Sequence, residues 1–170
     1  MNIKCFHNAD EENGYLSNWF LSYFSIEGIK YTSMEQYMMY NKAVCFGDCE
    51  VARCILHTDD VARIKEYGRS VSGYNDNIWS GIRQIIVYDG LMEKFSQNEK
   101  LKKRLLDTDD AILAECAVRD CIWGIGLSMK DDRRFDISQW KGQNLLGYTL
   151  MMVRNRSVSY THLRAHETRR

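Results

Sequence analysis

The 170-residue chain contains no proline, although average usage would give about eight. Helices therefore run without that breaker, and Gly, Asn and Asp have to supply the turns. The sequence also lacks an apolar run long enough to cross a membrane, and its polar start is no signal peptide. These features predict no membrane partner and a cytoplasmic location.

A charge excess of either sign is also missing, because 23 basic residues balance 23 acidic ones. Such a chain has no strong field with which to attract nucleic acid or an anionic membrane. A small phosphate group, however, needs only about two or three placed cations. The balance therefore excludes polyanion binding through bulk charge and leaves phosphorylated small molecules as ligands.

Motifs for common cofactors and metals are absent as well. The sequence has no G-x-G-x-x-G, G-x-x-x-x-G-K-[ST], H-E-x-x-H or G-x-S-x-G. Its six cysteines include no C-x2-C pair, which favours reduced core cysteines over a metal site or disulfides. We therefore predict no cofactor and no metal.

The patterns that are present predict an α+β fold, predominantly helical, in a single compact domain with a small β-sheet. The stretch "YFSIEGIKYTS" alternates around Glu27-Gly28 and predicts a hairpin. The following "SMEQ" predicts a helix start capped by Ser33, with Gln36 reaching back. Glu35 then lies in the first helical turn, where the helix dipole favours an ionised carboxylate.

Further along the chain, four more helices are predicted. They lie in "DCEVARCILH", between a cap at Thr58 and a stop at Gly68, across residues 75–98, and from Asn144 onward. The segment "AILAECA" predicts a strand. After Ser157 the apolar period ends and the composition changes abruptly. We predict one domain over residues 1–157 and a disordered or non-native tail over residues 158–170.

Polar and aromatic residues on these otherwise apolar elements supply the candidate site. The set comprises Glu35, Lys42, Arg69, Trp79, Arg83, Glu115, Asp120, Trp123 and Asn144. Glu35 and Lys42 are two helical turns apart and face the same way, about 10 Å from each other along the axis. Spacing alone leaves a shared ligand and a solvated helix face as alternatives, and the tryptophans fit either core packing or the flat walls of a base site.

Several segments, taken together and in order, resemble the NADAR (YbiA-like) family from about Cys5 to Arg156. They are "LSNWF", "YTSMEQYMMYNKAVCFGD", "IKEYGRSV", "IWSGIRQIIVYDGLMEKFSQN", "LLDTDDAILAECAVRDCIWGIGL" and "WKGQNLLGYTLMMVR". The resemblance implies a mostly helical α+β domain that hydrolyses N-glycosidic bonds. For the YbiA-like branch it implies ribosylaminopyrimidine phosphate intermediates of riboflavin biosynthesis as substrates, split into ribose 5-phosphate and free base.

The resemblance also implies roles for individual residues. Glu35 matches the acid of the family's S-x-E motif and would stabilise charge at C1′ or take a proton from water. Asp120 matches the acid of D-x-x-W-G and would contact the base or ribose, or donate a proton to the leaving nitrogen. Lys42 would bind phosphate or attack the opened sugar as an amine. The predicted substrate-binding residues are Trp79, Trp123, Arg69, Arg83, Gly124 and Asn144.

Two alternative functions remain at this point. Other family members act on ADP-ribose attached to guanine, which would make ADP-ribosylated nucleic acid the partner instead of a phosphorylated nucleoside-like molecule. A non-catalytic module that binds ADP-ribose or NAD would use the same aromatic walls and cations. The presence of both Glu35 and Asp120 favours an enzyme.

Overall fold

A computed structural model describes the backbone of residues 2–167 and the side chains of residues 2–159. In chain order the elements are β1 (Ile3–Phe6), β2 (Leu21–Ile26), β3 (Ile29–Ser33), α1 (Met34–Cys45), α2 (Cys49–Leu56), α3 (Val61–Arg69), α4 (Asp76–Ser96), α5 (Glu99–Leu106), β4 (Ile112–Glu115) and α6 (Leu145–Glu167). The chain divides into two compact units, one of Met1–Ser17 with Glu99–Arg170 and one of Asn18–Asn98.

The predicted fold class, a mostly helical α+β fold, is confirmed. The strands differ from the prediction of one small sheet, because the described residues form two separate two-stranded sheets. Strand β1 was not predicted and pairs in parallel with β4. None of the described helices combines the length and apolar character needed to span a bilayer.

The unit 18–98 begins with the predicted hairpin of β2 and β3. Glu27 and Gly28 form its turn with φ of 50° and 82°, as a two-residue turn of this hand requires. The hairpin leads into α1, where the Ser33 hydroxyl accepts a hydrogen bond from the Gln36 N–H at 3.1 Å. The Gln36 side chain accepts one from the Thr32 N–H at 2.7 Å, so the predicted start of α1 is confirmed.

Helix α3 differs from its prediction at both ends. Asp60 rather than Thr58 caps it, since the Asp60 carboxylate accepts from the Ala62 and Arg63 N–H groups. Gly68 does not stop the helix but lies inside its last turn. A Cβ atom on Gly68 would collide with the Met39 side chain of α1, so the glycine allows the two helices to approach closely.

The other unit is built around the parallel pair β1–β4, with α5 and α6. Its core includes Cys5, Ala114, Cys116, Ile125 and Leu127, all buried. The loop between β4 and α6 contains the "DCIWGIGL" segment and two short 3-10 turns, Asp132–Phe135 and Ile137–Gln139.

The predicted tail falls within and beyond helix α6. The backbone of 158–167 is helical up to Glu167 where the sequence predicted disorder, and residues 168–170 lie outside the described residues. The domain limit at residue 157 and the non-native character of the tail stay predictions.

Candidate active site

Helix α1 places Glu35 and Lys42 on one face, as their spacing predicted. Glu35 is only 4% exposed, and its backbone N–H donates to the Asn18 carbonyl at 2.9 Å. This bond ties the first turn of α1 to the segment that precedes β2. Burying a carboxylate to this extent costs folding free energy, a cost that an acid on a solvated helix face does not carry. The geometry therefore favours a functional carboxylate over a solvated helix face.

Lys42 lies half-buried two turns further along α1. Its Nζ donates to the Gly68 carbonyl at 2.6 Å and lies 4.4 Å from the centre of the Tyr74 ring. Burial lowers the pKa of Lys42, and the negative charges of Glu35 and Asp76 partly oppose that shift. A lysine in this setting becomes a neutral amine more readily than an exposed one.

Tyr74 and Asp76 join this face, although the sequence did not single them out. The Tyr74 hydroxyl donates to the Asp76 carboxylate at 2.7 Å, and burial together with this bond raises the pKa of Tyr74. Asp76 lies in the first turn of α4. A signal was available, since Asp76, Trp79 and Arg83 follow one another at helical spacing of three and four.

Trp79 and Arg83 extend the site along α4. Trp79 is 5% exposed and Arg83 is 9% exposed, so both side chains lie in the interior. Among the described residues the Arg83 Nε has no hydrogen-bond partner, although it is buried. The same holds for the side-chain oxygen of Asn18, whose backbone holds Glu35. Buried polar atoms without partners are costly and mark places where a ligand can complete the hydrogen bonding.

Arg69 differs from the other predicted cations because it is exposed at the last turn of α3. Its neighbour Gly68 supplies the carbonyl that holds Lys42, so Arg69 lies next to this face along the chain. Its role as a phosphate-binding residue stays a prediction.

Asp120, in the other unit, stabilises a turn of the backbone next to it in sequence. One oxygen of its carboxylate accepts hydrogen bonds from the backbone N–H groups of Ile122 at 3.0 Å and Trp123 at 2.8 Å. The acid therefore shapes the turn that presents the half-buried Trp123. This explains why the sequence places an acid three residues before that tryptophan, and its contact with substrate stays a prediction.

Gly124 and Asn144 both make close contacts within the same unit as Asp120. A Cβ on Gly124 would lie 2.9 Å from the Glu115 and Asp120 carbonyls, so the close approach that needs glycine is to the protein itself. Asn144 is fully buried at a φ of 52°, and its amide accepts from the Glu115 N–H and donates to the Leu113 carbonyl. These contacts give both residues structural roles, and their predicted binding of substrate gains no support from them.

The unit 18–98 therefore gathers four of the predicted residues, Glu35, Lys42, Trp79 and Arg83, around Tyr74 and Asp76. Acidic and basic groups alternate beside an aromatic surface, an arrangement suited to a sugar that develops positive charge and carries a phosphate. The described residues contain no group of three or more His, Cys, Asp or Glu that could hold a metal ion.

Comparison with known proteins places this arrangement in a family. The profile of the NADAR domain matches residues 5–157. N-glycosidase R617 of Acanthamoeba polyphaga mimivirus is 38% identical over 157 residues, which cover 88% of this chain and 92% of that protein. The riboflavin biosynthesis protein VVA0006 of Vibrio vulnificus is 30% identical over 149 residues, which cover 88% of this chain but only 37% of that protein. The NMR structure of the E. coli protein YbiA matches with a TM-score of 0.78 and 25% identity, over 95% of this chain and 88% of that one. The chain therefore belongs to the NADAR family, and the resemblance read from its motifs is confirmed.

Proposed function

We propose that this protein is an N-glycosidase that hydrolyses the C1′–N bond of a phosphorylated N-riboside, most specifically a ribosylaminopyrimidine phosphate. The observation that carries the proposal is the buried Glu35 on the same helix face as Lys42, in the same unit as the buried Arg83, whose Nε has no hydrogen-bond partner among the described residues. The name of R617, an N-glycosidase, supports the reaction class.

Glu35 supplies the negative charge that this reaction needs. As the C1′–N bond breaks, positive charge develops on the ribose, and a carboxylate held close to C1′ stabilises it. The base leaves with the electron pair of that bond and a proton from solvent, and Glu35 then takes a proton from the water that adds to C1′. The products are ribose 5-phosphate and the free aminopyrimidine.

Lys42 acts as an amine in this proposal. Before water adds, the neutral amine bonds to C1′ and the ribose ring opens, which gives an imine that the water hydrolyses to ribose 5-phosphate and the free amine. The lowered pKa of Lys42 supports this role over a purely electrostatic one. Arg83 and Arg69 then bind the phosphate in this proposal, because their planar guanidinium groups fit phosphate oxygens.

In this proposal Trp79 gives the base a flat apolar wall. Trp123 and Asp120 belong to the other unit, and their predicted contact with the base rests on the D-x-x-W-G motif alone. Asp120 retains its second carboxylate oxygen for such a contact, since one oxygen serves the turn.

The name of VVA0006, a riboflavin biosynthesis protein, supports the pyrimidine intermediate as substrate. Incubation with that intermediate, NAD, ADP-ribose and ADP-ribosylated guanine DNA, followed by mass spectrometry of the released base, tests the substrate class. Release from the guanine adduct alone would replace the proposed substrate, and binding without release from any of them would indicate a non-catalytic module.

The variant Glu35→Gln tests the mechanism. We expect turnover to fall by at least about a hundredfold, the scale of acid–base and electrostatic groups, while the circular dichroism spectrum stays that of the wild type. Glu50→Gln, at an exposed carboxylate of α2 in the same unit, is the matched control and should keep full activity. Near wild-type release of ribose 5-phosphate by Glu35→Gln would refute the assignment.

A further inference from the structure

The unit 18–98 contains a cavity of about 480 Å³ between the β2–β3 hairpin, α1 and α4. Its size is within the usual range of small-molecule sites. The side chains that give it chemical character are Tyr31, Tyr37, Tyr40, Glu27, Asp89 and Glu93.

This cavity is separate from the candidate active site. Tyr37, Tyr40 and Val44 line it at helical spacing of three and four along α1. Glu35 and Lys42 lie about half a turn away around the same helix, on the opposite face. One face of α1 therefore belongs to the candidate active site, and the opposite face lines this cavity.

Tyrosine rings form the inner wall of the cavity. The rings of Tyr31 and Tyr37 meet edge to face with centres 5.1 Å apart, and Tyr40 lies 5.7 Å from Tyr31. Tyr31 is 2% exposed and Tyr37 is 6% exposed, so packing inside the unit holds both rings in place where they line the cavity.

The charged groups of the wall all have the same sign. Asp89 and Glu93 are one helical turn apart on α4, and Glu27 lies at the hairpin turn. No Lys, Arg or His is among the residues that line the cavity. Burial raises the pKa of Asp89, and repulsion from the charge of Glu93 adds to that shift. A positive ligand would relieve that repulsion.

We propose that this cavity is a second binding site, for a small organic cation of the alkylammonium class. Tyrosine rings attract a desolvated ammonium group through the cation–π interaction, and the three carboxylates supply the opposite charge. A bare metal ion would instead require several oxygen ligands converging at short distance, and among the described residues no three His, Cys, Asp or Glu side chains are grouped closely enough to hold one.

Calorimetric titration with choline tests the proposal, and its neutral isostere 3,3-dimethylbutan-1-ol is the control ligand. We expect saturable binding of choline and at least tenfold weaker binding of the alcohol, because shape and apolar area are the same and only the charge differs. Equal binding of the two would identify an apolar cavity and overturn the proposal, as would no binding of choline at millimolar concentration.

Two pairs of variants locate the site. Asp89→Asn combined with Glu93→Gln should weaken choline binding by at least about tenfold, whereas Asp59→Asn, at an exposed acid before α3, should leave it unchanged. Tyr40→Leu should weaken binding, and Tyr40→Phe, which keeps the ring, should retain it. Unchanged binding in both the double variant and Tyr40→Leu would place the cation elsewhere and refute the assignment of this cavity.

Discussion

Lys42 contacts two groups that carry no formal charge, the Gly68 carbonyl and the Tyr74 ring. Both can hold an ammonium ion, and the carbonyl also accepts from a neutral amine, so this setting tolerates loss of the proton. The contacts of Lys42 therefore support its role as an amine.

At the residue scale we predict that Lys42→Arg loses activity by about a hundredfold or more, because a guanidinium cannot become neutral or form the imine. For the wild type, kcat/KM should rise with pH through the lowered pKa of Lys42, since the neutral form reacts. Borohydride should trap a reduced pentose phosphate adduct on the wild type and not on Lys42→Arg, as protein mass spectrometry would show.

The matched control for this residue is Lys30→Arg, at an exposed lysine of β3, which should retain full activity. A Lys42→Arg variant that keeps near wild-type turnover, with activity falling as pH rises, would instead make Lys42 a phosphate-binding cation.

Individual residues were predictable to the extent that their neighbours in sequence determine them. Ser33 and Gln36 cap α1 through bonds over three or four positions, so the pattern revealed them and placed Glu35. The bonds of Asn144 instead reach Leu113 and Glu115, about thirty positions away, and nothing local distinguishes them from a substrate contact.

At the element scale, a glycine in α4 and a glycine in α6 affect the stability of their helices in opposite directions. Gly81 lies on the exposed side of α4, where an added Cβ would meet nothing within 4 Å. In α6, a Cβ on Gly147 would lie 2.0 Å from the Leu113 carbonyl of β4 and 2.5 Å from the side-chain amide of Asn144. The first glycine only weakens its helix, and the second permits the helix to contact the strand.

We therefore predict that Gly81→Ala raises the free energy of unfolding by about 0.5 to 1 kcal/mol, since alanine favours the helix and nothing obstructs it. Gly147→Ala should lower it by about 2 kcal/mol or more, because the backbone of β4 cannot move aside cheaply. Urea unfolding followed by circular dichroism measures both. Equal effects of the two substitutions would contradict the packing at Gly147.

Elements were predictable where the periodicity is long or the turn is chemically explicit. The apolar spacing across 75–98 predicted α4, and Glu27-Gly28 predicted the hairpin. The limits of α3 were wrong because Thr58 and Asp60 are both good caps, and only the folded chain selects one. Gly68 resembled a helix stop because its packing against Met39 is invisible in the sequence.

At the scale of the whole molecule, contacts between distant segments were out of reach of sequence patterns. Strand β1 pairs with β4 more than a hundred positions away, in parallel, and its four residues are too short a signal. The family resemblance supplied the reaction class and candidate roles for residues, which local patterns could not, but it did not predict this pair of strands. It did not reveal Tyr74 and Asp76, which lie outside the motifs used.

The stability of the whole chain should depend on pH through Lys94, a fully buried lysine of α4. Its Nζ lies 5.6 Å and 5.2 Å from the ring centres of Phe20 and Phe95, and burial lowers its pKa to about 7. In the unfolded chain a lysine keeps its proton up to about pH 10. Above pH 7 the unfolded state therefore binds more protons than the folded state, and stability rises with pH.

We predict that, from about pH 7 to about pH 9.5, the wild type gains stability relative to Lys94→Met by up to about 1 kcal/mol per pH unit. Urea unfolding at several pH values measures the difference. Lys100→Met, at an exposed lysine of α5, is the control, and its free energy of unfolding should change with pH in the same way as that of the wild type. If that of Lys94→Met also changes in the same way, Lys94 keeps its charge in the folded protein, and the desolvation that lowers its pKa is offset by its surroundings.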